Sequence, residues 1–408
     1  MMIIADLHIH SKYSRATSKD MDIEGITESA KIKGIDLVGT GDFTHPEWLD
    51  ELKTYLKPKS FGTYEHQGIN YFLTSEISCI YSQGERVRKI HIMVIAPSFE
   101  VVDKINRELK KIGNLKADGR PILGLSAKDL VEIVLGVSEE CFIIPAHIWT
   151  PWFSLFGSNS GFDDIEECFG DLTKYIYALE TGLSSDPEMN WMLSKLDKFT
   201  LVSNSDAHSP ANLGREVNIF NCEMDYRKII DVLKNKDKDK FLNTIEFFPQ
   251  EGKYHYDGHR NCNVSLSPDE TKKHKNICPK CGKSLTIGVM NRVYELADRK
   301  LGFIPRDAIP FKRLVPLRQI IASSIKRTPA SASVARVYDY LVGEFDSEFN
   351  VLLNLDRSGL KKVDPEIVEG ITRVKEGKIK IIPGYDGVYG KVEIFSDDKK
   401  EEKQMSLF

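Results

Sequence analysis

Short apolar runs alternate with amphipathic stretches through the first half of the chain. The runs at 2–9, 36–42, 70–77, 89–96, 142–148, 175–181 and 200–206 have the length and the Val and Ile content of buried strands. Between them, residues 23–34, 102–113, 126–136 and 186–198 repeat apolar positions every three or four residues, with Ser126 placed to cap one helix and Pro187 near the start of another. Seven strands interleaved with helices predict an α/β fold built on a parallel sheet, open or closed into a barrel. From residue 285 the period turns helical, over 285–302, 317–327, 331–345 and 364–379.

Composition narrows the class. A chain of 408 residues exceeds one average domain, and 41% hydrophobic with 28% charged residues describes an ordinary globular protein. No apolar run reaches membrane-spanning length, and "MMII" at the start has no basic leader and is too short for a secretory signal. A cytoplasmic protein without a membrane partner is expected. The net charge of −4 conceals an asymmetry: residues 1–245 carry 28 Lys and Arg against 37 Asp and Glu, whereas 246–395 carry 25 against 19. The basic second half is compatible with a phosphate backbone as partner. Of the seven cysteines, three cluster at 262–281, which suggests a metal site in a reducing compartment rather than a disulfide framework.

Polar residues of ligand type gather at the ends of the predicted strands. "ADLHIHS" sets Asp6, His8 and His10 on alternate positions, so that their side chains share one face of a strand. Asp42 closes the second run and Glu76 the third; His91 lies on the fourth, His147 ends the fifth, and Asp206 and His208 follow the seventh. C-terminal strand ends are where α/β folds collect their chemistry. Imidazoles and carboxylates repeated there predict a metal cluster.

The stretches "DLHIHS" (6–11), "GTGDFTHP" (39–46), "SEIS" (75–78), "HIMV" (91–94), "PAHIW" (145–149) and "NSDAHS" (204–209) resemble the PHP superfamily of metal-dependent phosphoesterases. That resemblance implies a distorted seven-stranded (β/α) barrel holding two or three divalent metals, zinc above all, with manganese, iron or magnesium as alternatives. It implies that His8, His10 and Asp206 hold one metal, that Glu76 bridges to a second held by His91 and His147, and that Asp42 and His208 serve a third. Glu76, Asp206 and His208 are the implied catalytic residues. Where the superfamily often has His after the Asp, this chain has Phe43, and His45 is the alternative ligand.

His259 and Cys262, then Cys278 and Cys281 after 15 intervening residues, have the spacing of a structural zinc knuckle. His255 and His274 are alternatives for the histidine position. The expected layout is a metallophosphoesterase domain at 1–245, a zinc-binding module at 246–290, a mainly helical DNA-binding domain at 291–395 and a tail at 396–408.

A PHP-like barrel, this knuckle, and then "LTIGVMNRVYELADR", "LVPL" and "IIPGYDGVYGK" together resemble the endonuclease Q family, archaeal and partly bacterial, along essentially the whole chain. The resemblance implies incision of DNA 5′ of uracil, hypoxanthine, xanthine and abasic sites, leaving a 3′-hydroxyl and a 5′-phosphate. In that setting the aromatic insert after His147, with Trp149, Trp152, Phe153 and Phe156, is a candidate wall for an extruded base. The terminal Gln404, Leu407 and Phe408 resemble a sliding-clamp-binding motif, and a nucleoid-associated location follows. The competing readings are a small-molecule phosphatase on the same barrel and a non-enzymatic DNA-binding module.

Overall fold

The computed structural model describes residues 2–395, so Gln404, Leu407 and Phe408 lie outside the described residues. Strand Met2–Asp6 runs parallel to Leu37–Gly39, which runs parallel to Ile69–Gln83. The first crossover is the helix Ile23–Lys33, which starts where the Asp22 side chain accepts a hydrogen bond from Gly25 N. Helix Ala127–Val137 begins at Ser126 with a reciprocal capping box to Asp129, as its sequence predicts.

The all-parallel expectation fails at the fourth run. Ile69–Gln83 and Arg86–Ala96 form a long antiparallel hairpin, and Arg86–Ala96 then pairs antiparallel with Phe142–Pro145. The reason is local: only Gly84 and Glu85 separate the two strands, with φ of 59° and 60°. Two residues in the left-handed region make a tight hairpin turn, whereas a parallel step needs a crossover of a dozen residues or more.

Ala178–Glu180 and Thr200–Val202 make a separate parallel pair, and an Ile9–Ala207 bridge brings the chain back to its first strand. One apolar cluster contains a buried residue from each of the seven runs: Ile3, Leu37, Phe72, Met93, Ile144, Ala178 and Val202. The runs therefore surround a shared core in a mixed α/β fold. A larger cluster covers the outside, where Ile26, Ala30, Ile105, Leu130 and Val134 of the flanking helices are buried.

On the far side of Met2–Asp6 the sheet continues through Val217–Asn221 and Phe241–Glu246 to Phe311–Arg313, which carries the chain into its last third. Helices Leu317–Ser324, Ala332–Glu344 and Pro365–Lys375 follow. Glu348 fastens the first two to helix Ile23–Lys33: it accepts from Leu317 N at 2.9 Å and Tyr338 OH at 2.6 Å, and pairs with Lys33 at 3.6 Å. Arg292, Arg299 and Arg313 are also internal ties, to Asp163, Asp197 and Asp186 respectively, rather than free surface charges.

Two predicted helices are shorter than their patterns. Residues 186–198 keep only Pro187–Asn190 and a 3-10 turn, because Asn190 bonds Ser185 and Asp186 and Ser194 bonds Asp298, competing with the helical ladder. Residues 285–302 keep Val289–Leu296, since Thr286 pairs with Gly258 instead. Among the described residues no helix is long and apolar enough to cross a membrane.

Candidate metal centre

His8 and His10 lie just past strand Met2–Asp6, and both are buried. His10 N donates to Ala207 O at 2.9 Å, which holds this segment against the one bearing Asp206 and His208. Glu76, mid-strand in Ile69–Gln83 and 1% exposed, is the hub. Its Oε2 lies 3.2 Å from His10 Nε2 and 3.7 Å from His8 Nε2. Its Oε1 lies 2.6 Å from His91 Nδ1 and 2.9 Å from His147 Nε2. One carboxylate thus divides its two oxygens between two pairs of imidazoles.

Asp206 Oδ1 completes the first group, 3.1 Å from His10 Nε2, 3.6 Å from His208 Nδ1 and 3.9 Å from His8 Nε2. His8 Nε2, His10 Nε2 and Asp206 Oδ1 are nevertheless buried without a hydrogen-bond partner. Orphaned polar atoms crowded together are costly unless something else satisfies them, and a cation between them does so. Three overlapping groups have all their ligand atoms within 4.8 Å of one another: His8, His10 and Glu76; His10, Asp206 and His208; and Glu76, His91 and His147. Nitrogen and oxygen donors in this mixture suit zinc, manganese or iron.

The opposite ring nitrogens explain the orientation. His8 Nδ1 lies 3.0 Å from each carboxylate oxygen of Glu180, and His10 Nδ1 lies 3.0 Å from Asp42 Oδ1. A carboxylate behind an imidazole fixes its tautomer and turns the other nitrogen towards the ion. Asp42 therefore stands behind His10, away from the converging ligand atoms where the motif expects it. Its Oδ2 is taken by Ser11 N, Ser11 Oγ and Ser14 Oγ at 2.7–2.8 Å. His45 stacks on Tyr13 with ring centroids 4.3 Å apart, outside all three groups.

No motif singles out Glu180; the only signal for it is its position at the end of the run 175–181. It also accepts from His147 N at 2.8 Å and Asn204 Nδ2 at 2.8 Å, so one buried carboxylate aligns two of the imidazole-bearing segments. Arg120 is likewise invisible to periodicity. Asp118 accepts from the amides of Arg15 and Arg120 and steadies this loop, and Arg120 Nη1 reaches Glu76 Oε2 at 3.0 Å.

Charge is tightly balanced. Burial would raise the Glu76 carboxyl, but His91, Arg120 and His8 hold it well below the usual carboxylate range. Burial would likewise discharge His8 and His10, but Glu180 and Glu76 around one, and Asp42 and Asp206 around the other, hold both well above an ordinary imidazole. His91, by contrast, is pushed down to about 4 by burial. The backbone is strained at the same place: Asp42, His147 and Asp206 have φ of 51°, 30° and 47°. Such conformations cost about 1–3 kcal/mol each and persist where the surroundings impose them. For His147 part of that imposition is Gly182, where any Cβ would run into the His147 Cβ.

The second cluster is separate. His259, Cys262, Cys278 and Cys281 bring their ligand atoms within 4.8 Å of one another, while His255 and His274 stay out of the group. Burial opposes ionisation of the Cys278 thiol, but the Lys280 and Cys281 amides bring it down to about 6. Cys281 and Cys278 beside it push Cys262 up to about 11. Three thiols and an imidazole converging in this way offer a complete four-ligand set to one metal ion.

The aromatic insert separates into two kinds of residue. Trp149 is 1% exposed, packs on Phe156 and donates Nε1 to Asn190 Oδ1 at 2.8 Å, so it is core and is corrected from the base-contacting set. Phe153 is half-buried against His91, with centroids 4.8 Å apart. Trp152 is 46% exposed and lines a cavity of about 890 Å³ with Tyr254, Lys272, Asn291 and Tyr294.

A mixed α/β fold with imidazole–carboxylate groups that share one buried glutamate is an arrangement of metal-dependent hydrolases. Over its full length the chain is 34% identical to the lesion-specific endonuclease PfuEndoQ of Pyrococcus furiosus, with a TM-score of 0.88 and 100% of both chains covered. The chain belongs to the endonuclease Q family. It is also 34% identical, with a TM-score of 0.86, to endonuclease Q in complex with a 27-mer duplex substrate with an abasic lesion at the active site; the match covers 97% of this chain and 98% of that one. Residues 316–378 match the family model "MJ0043 C-terminal domain". The uncharacterised protein MJ0043 of Methanocaldococcus jannaschii is 34% identical over 267 residues, 64% of this chain, and the match spans 32% of that longer protein.

Proposed function

We propose that this chain is a metal-dependent DNA repair endonuclease built on a PHP barrel. It hydrolyses the phosphodiester 5′ of uracil, hypoxanthine, xanthine and abasic sites, leaving a 3′-hydroxyl and a 5′-phosphate. The single observation that carries this reading is the division of Glu76 between two imidazole pairs, beside ligand atoms that lack any hydrogen-bond partner. The full-length likeness to a family member crystallised on a lesion duplex supports DNA as the substrate.

Two or three divalent ions would be held by His8, His10, Glu76, His91, His147, Asp206 and His208. When bound, they supply Lewis acidity to the phosphoryl group and make water acidic enough to attack near neutral pH. Asp42 and Glu180 hold His10 and His8 in the required tautomers. Asp206 and His208 are the ligands at the rim, each with a side chain 27% exposed, and Arg120 joins them at 24%. The scissile phosphate therefore enters from that side, where the Arg120 guanidinium donates to a non-bridging oxygen. Water oxygen adds to phosphorus, the P–O3′ bond breaks, and the proton ends on the 3′ oxygen.

Trp152 and Phe153 form one wall for the extruded base, and the cavity beside Trp152 receives it. Replacing Trp152 with alanine tests this: unchanged binding and cleavage of uracil-containing DNA by a folded variant removes the role. The tail residues Gln404, Leu407 and Phe408 are proposed to engage a sliding clamp, and unchanged clamp affinity after deleting residues 404–408 would exclude it.

The deciding experiment incubates the protein with single- and double-stranded oligonucleotides carrying one deoxyuridine, deoxyinosine or abasic site, with and without chelator. Chelator-sensitive nicking on the 5′ side of the lesion is expected. Release of phosphate from monoesters with no DNA cut would instead assign the phosphatase, and binding without either reaction the non-enzymatic module.

A further inference from the structure

Tyr389 is 66% exposed, and it sits on a turn tied to a neighbouring segment of the chain by several backbone hydrogen bonds. The hairpin of Lys380–Ile382 and Lys391–Glu393 is laid by its turn onto residues 250–256. Gly384 N donates to Gln250 O at 2.8 Å, Gly387 N to Lys253 O at 3.0 Å, Gly390 N to Glu251 O at 3.0 Å, and Tyr256 N to Gly384 O at 2.9 Å. The Asp386 carboxylate accepts from Arg260 N at 2.7 Å and from Thr286 Oγ1 at 2.6 Å. At position 390 a Cβ would run into Gln250 O, so only glycine permits this approach.

The two tyrosines of this turn have opposite fates. Tyr385 packs over Gly258 and donates its hydroxyl to Asn263 Oδ1 at 2.7 Å. Tyr389 stays in solvent, with Lys253 Nζ 4.7 Å from its ring centroid. An exposed ring on hydrogen-bonded backbone with a lysine ammonium beside it offers an aromatic face and a cation to a docking ligand.

What it borders identifies the occupant. Next to Lys253, the Tyr254 ring meets Trp152 edge-on at 6.0 Å. The Trp152 carbonyl is tied through Thr150 Oγ1, at 2.9 Å, to His147 Nδ1 at 3.2 Å. Exposed Trp152, Lys253 and Tyr389, with half-buried Tyr254 between them, thus form a strip of aromatics and a cation that leads out from His147. Aromatic faces take nucleobases of any sequence, and cations take the phosphodiesters between them.

We propose that Tyr389 is a stacking platform for the nucleobase adjacent to an extruded lesion nucleotide, holding open the gap that extrusion leaves in a duplex. This rests on the reading of the chain as a lesion endonuclease. A gap in stacked DNA closes unless a side chain fills it, so the role matters for duplex and not for single strands.

The test compares wild type, Tyr389→Ala and Tyr389→Phe on one deoxyuridine oligonucleotide, single-stranded and as a duplex, alongside binding to a duplex with 2-aminopurine beside an abasic site. For Tyr389→Ala, cleavage of the duplex should fall about tenfold or more. Cleavage of the single strand should stay within about twofold, with metal content and melting temperature unchanged. Tyr389→Phe, which keeps the ring, should restore the duplex activity. Wild type should quench 2-aminopurine and Tyr389→Ala should not. Equal loss on both substrates, no loss on the duplex, failure of the Phe variant, or quenching that survives in Tyr389→Ala would each overturn the proposal. If wild type quenches the probe but cuts no DNA, the endonuclease reading fails while the platform stands.

Discussion

Glu180 holds His8 by the back of its ring, with both carboxylate oxygens 3.0 Å from Nδ1 and the residue itself fully buried. That contact leaves His8 Nε2 facing Glu76 and Asp206 with no hydrogen bond of its own. Replacing Glu180 with glutamine keeps the shape but removes the charge behind the ring. Metal affinity is expected to fall about 10- to 100-fold. Titration with a metal-buffered indicator measures this, and circular dichroism should show the fold retained.

Glu76 and Arg120 touch each other, yet their replacements should separate. Glu76→Ala removes the bridge between two ligand groups, so elemental analysis should find less metal and strand scission should be abolished. Arg120→Gln should leave metal content intact while kcat falls by roughly 10²-fold, the typical effect of removing one preorganised donor from a charged transition state. Equal metal loss in both variants would mean that Arg120 merely supports the cluster.

Cys281→Ser should lower the metal content of the protein by one equivalent without changing what the Glu76 groups hold, because the two clusters share no residue. The segment 259–285 has only a small core of its own, Val264, Cys278 and Leu285 with Cys262 and Leu266 against them. Limited proteolysis should therefore cut within it in the variant and spare it in wild type.

Glu246 offers a pH signature. Burial pushes its carboxyl up from 4.5 to about 7, although hydroxyls of Thr244, Ser203 and Thr181 pull it the other way. The folded state then keeps a proton that the unfolded chain releases between these values. Stability from this group is present below about pH 4.5 and is lost as pH rises through about 7, a change of about 3 kcal/mol. Glu246→Gln should flatten that slope, raising the melting temperature at pH 8 and leaving it nearly unchanged at pH 4.5.

Residues whose chemistry is announced by type and spacing were legible without coordinates. His8, His10, His147, Asp206 and His208 stand just past strands that the apolar runs locate, Glu76 and His91 lie within theirs, and the pairs at 259–262 and 278–281 carry their own spacing. Periodicity says which residues share a face, so it finds ligands that recur element by element. Strand direction escaped it: whether Arg86–Ala96 runs parallel depends on the backbone of Gly84 and Glu85, two residues without any apolar period.

Roles set by contact were decided only in three dimensions. Asp42 and Glu180 are carboxylates like Glu76, but hydrogen bonds from Ser11, Ser14, His147 and Asn204 commit them to positions behind the imidazoles. Trp149 and Trp152 lie three residues apart in one aromatic stretch, and packing against Phe156 buries the first while the second stays open. Composition and spacing determined the kinds of atoms this protein brings to its centre. Which atoms face the ion, which face each other and which meet solvent was decided by neighbours distant in the chain, since burial and hydrogen bonding depend on proximity in space.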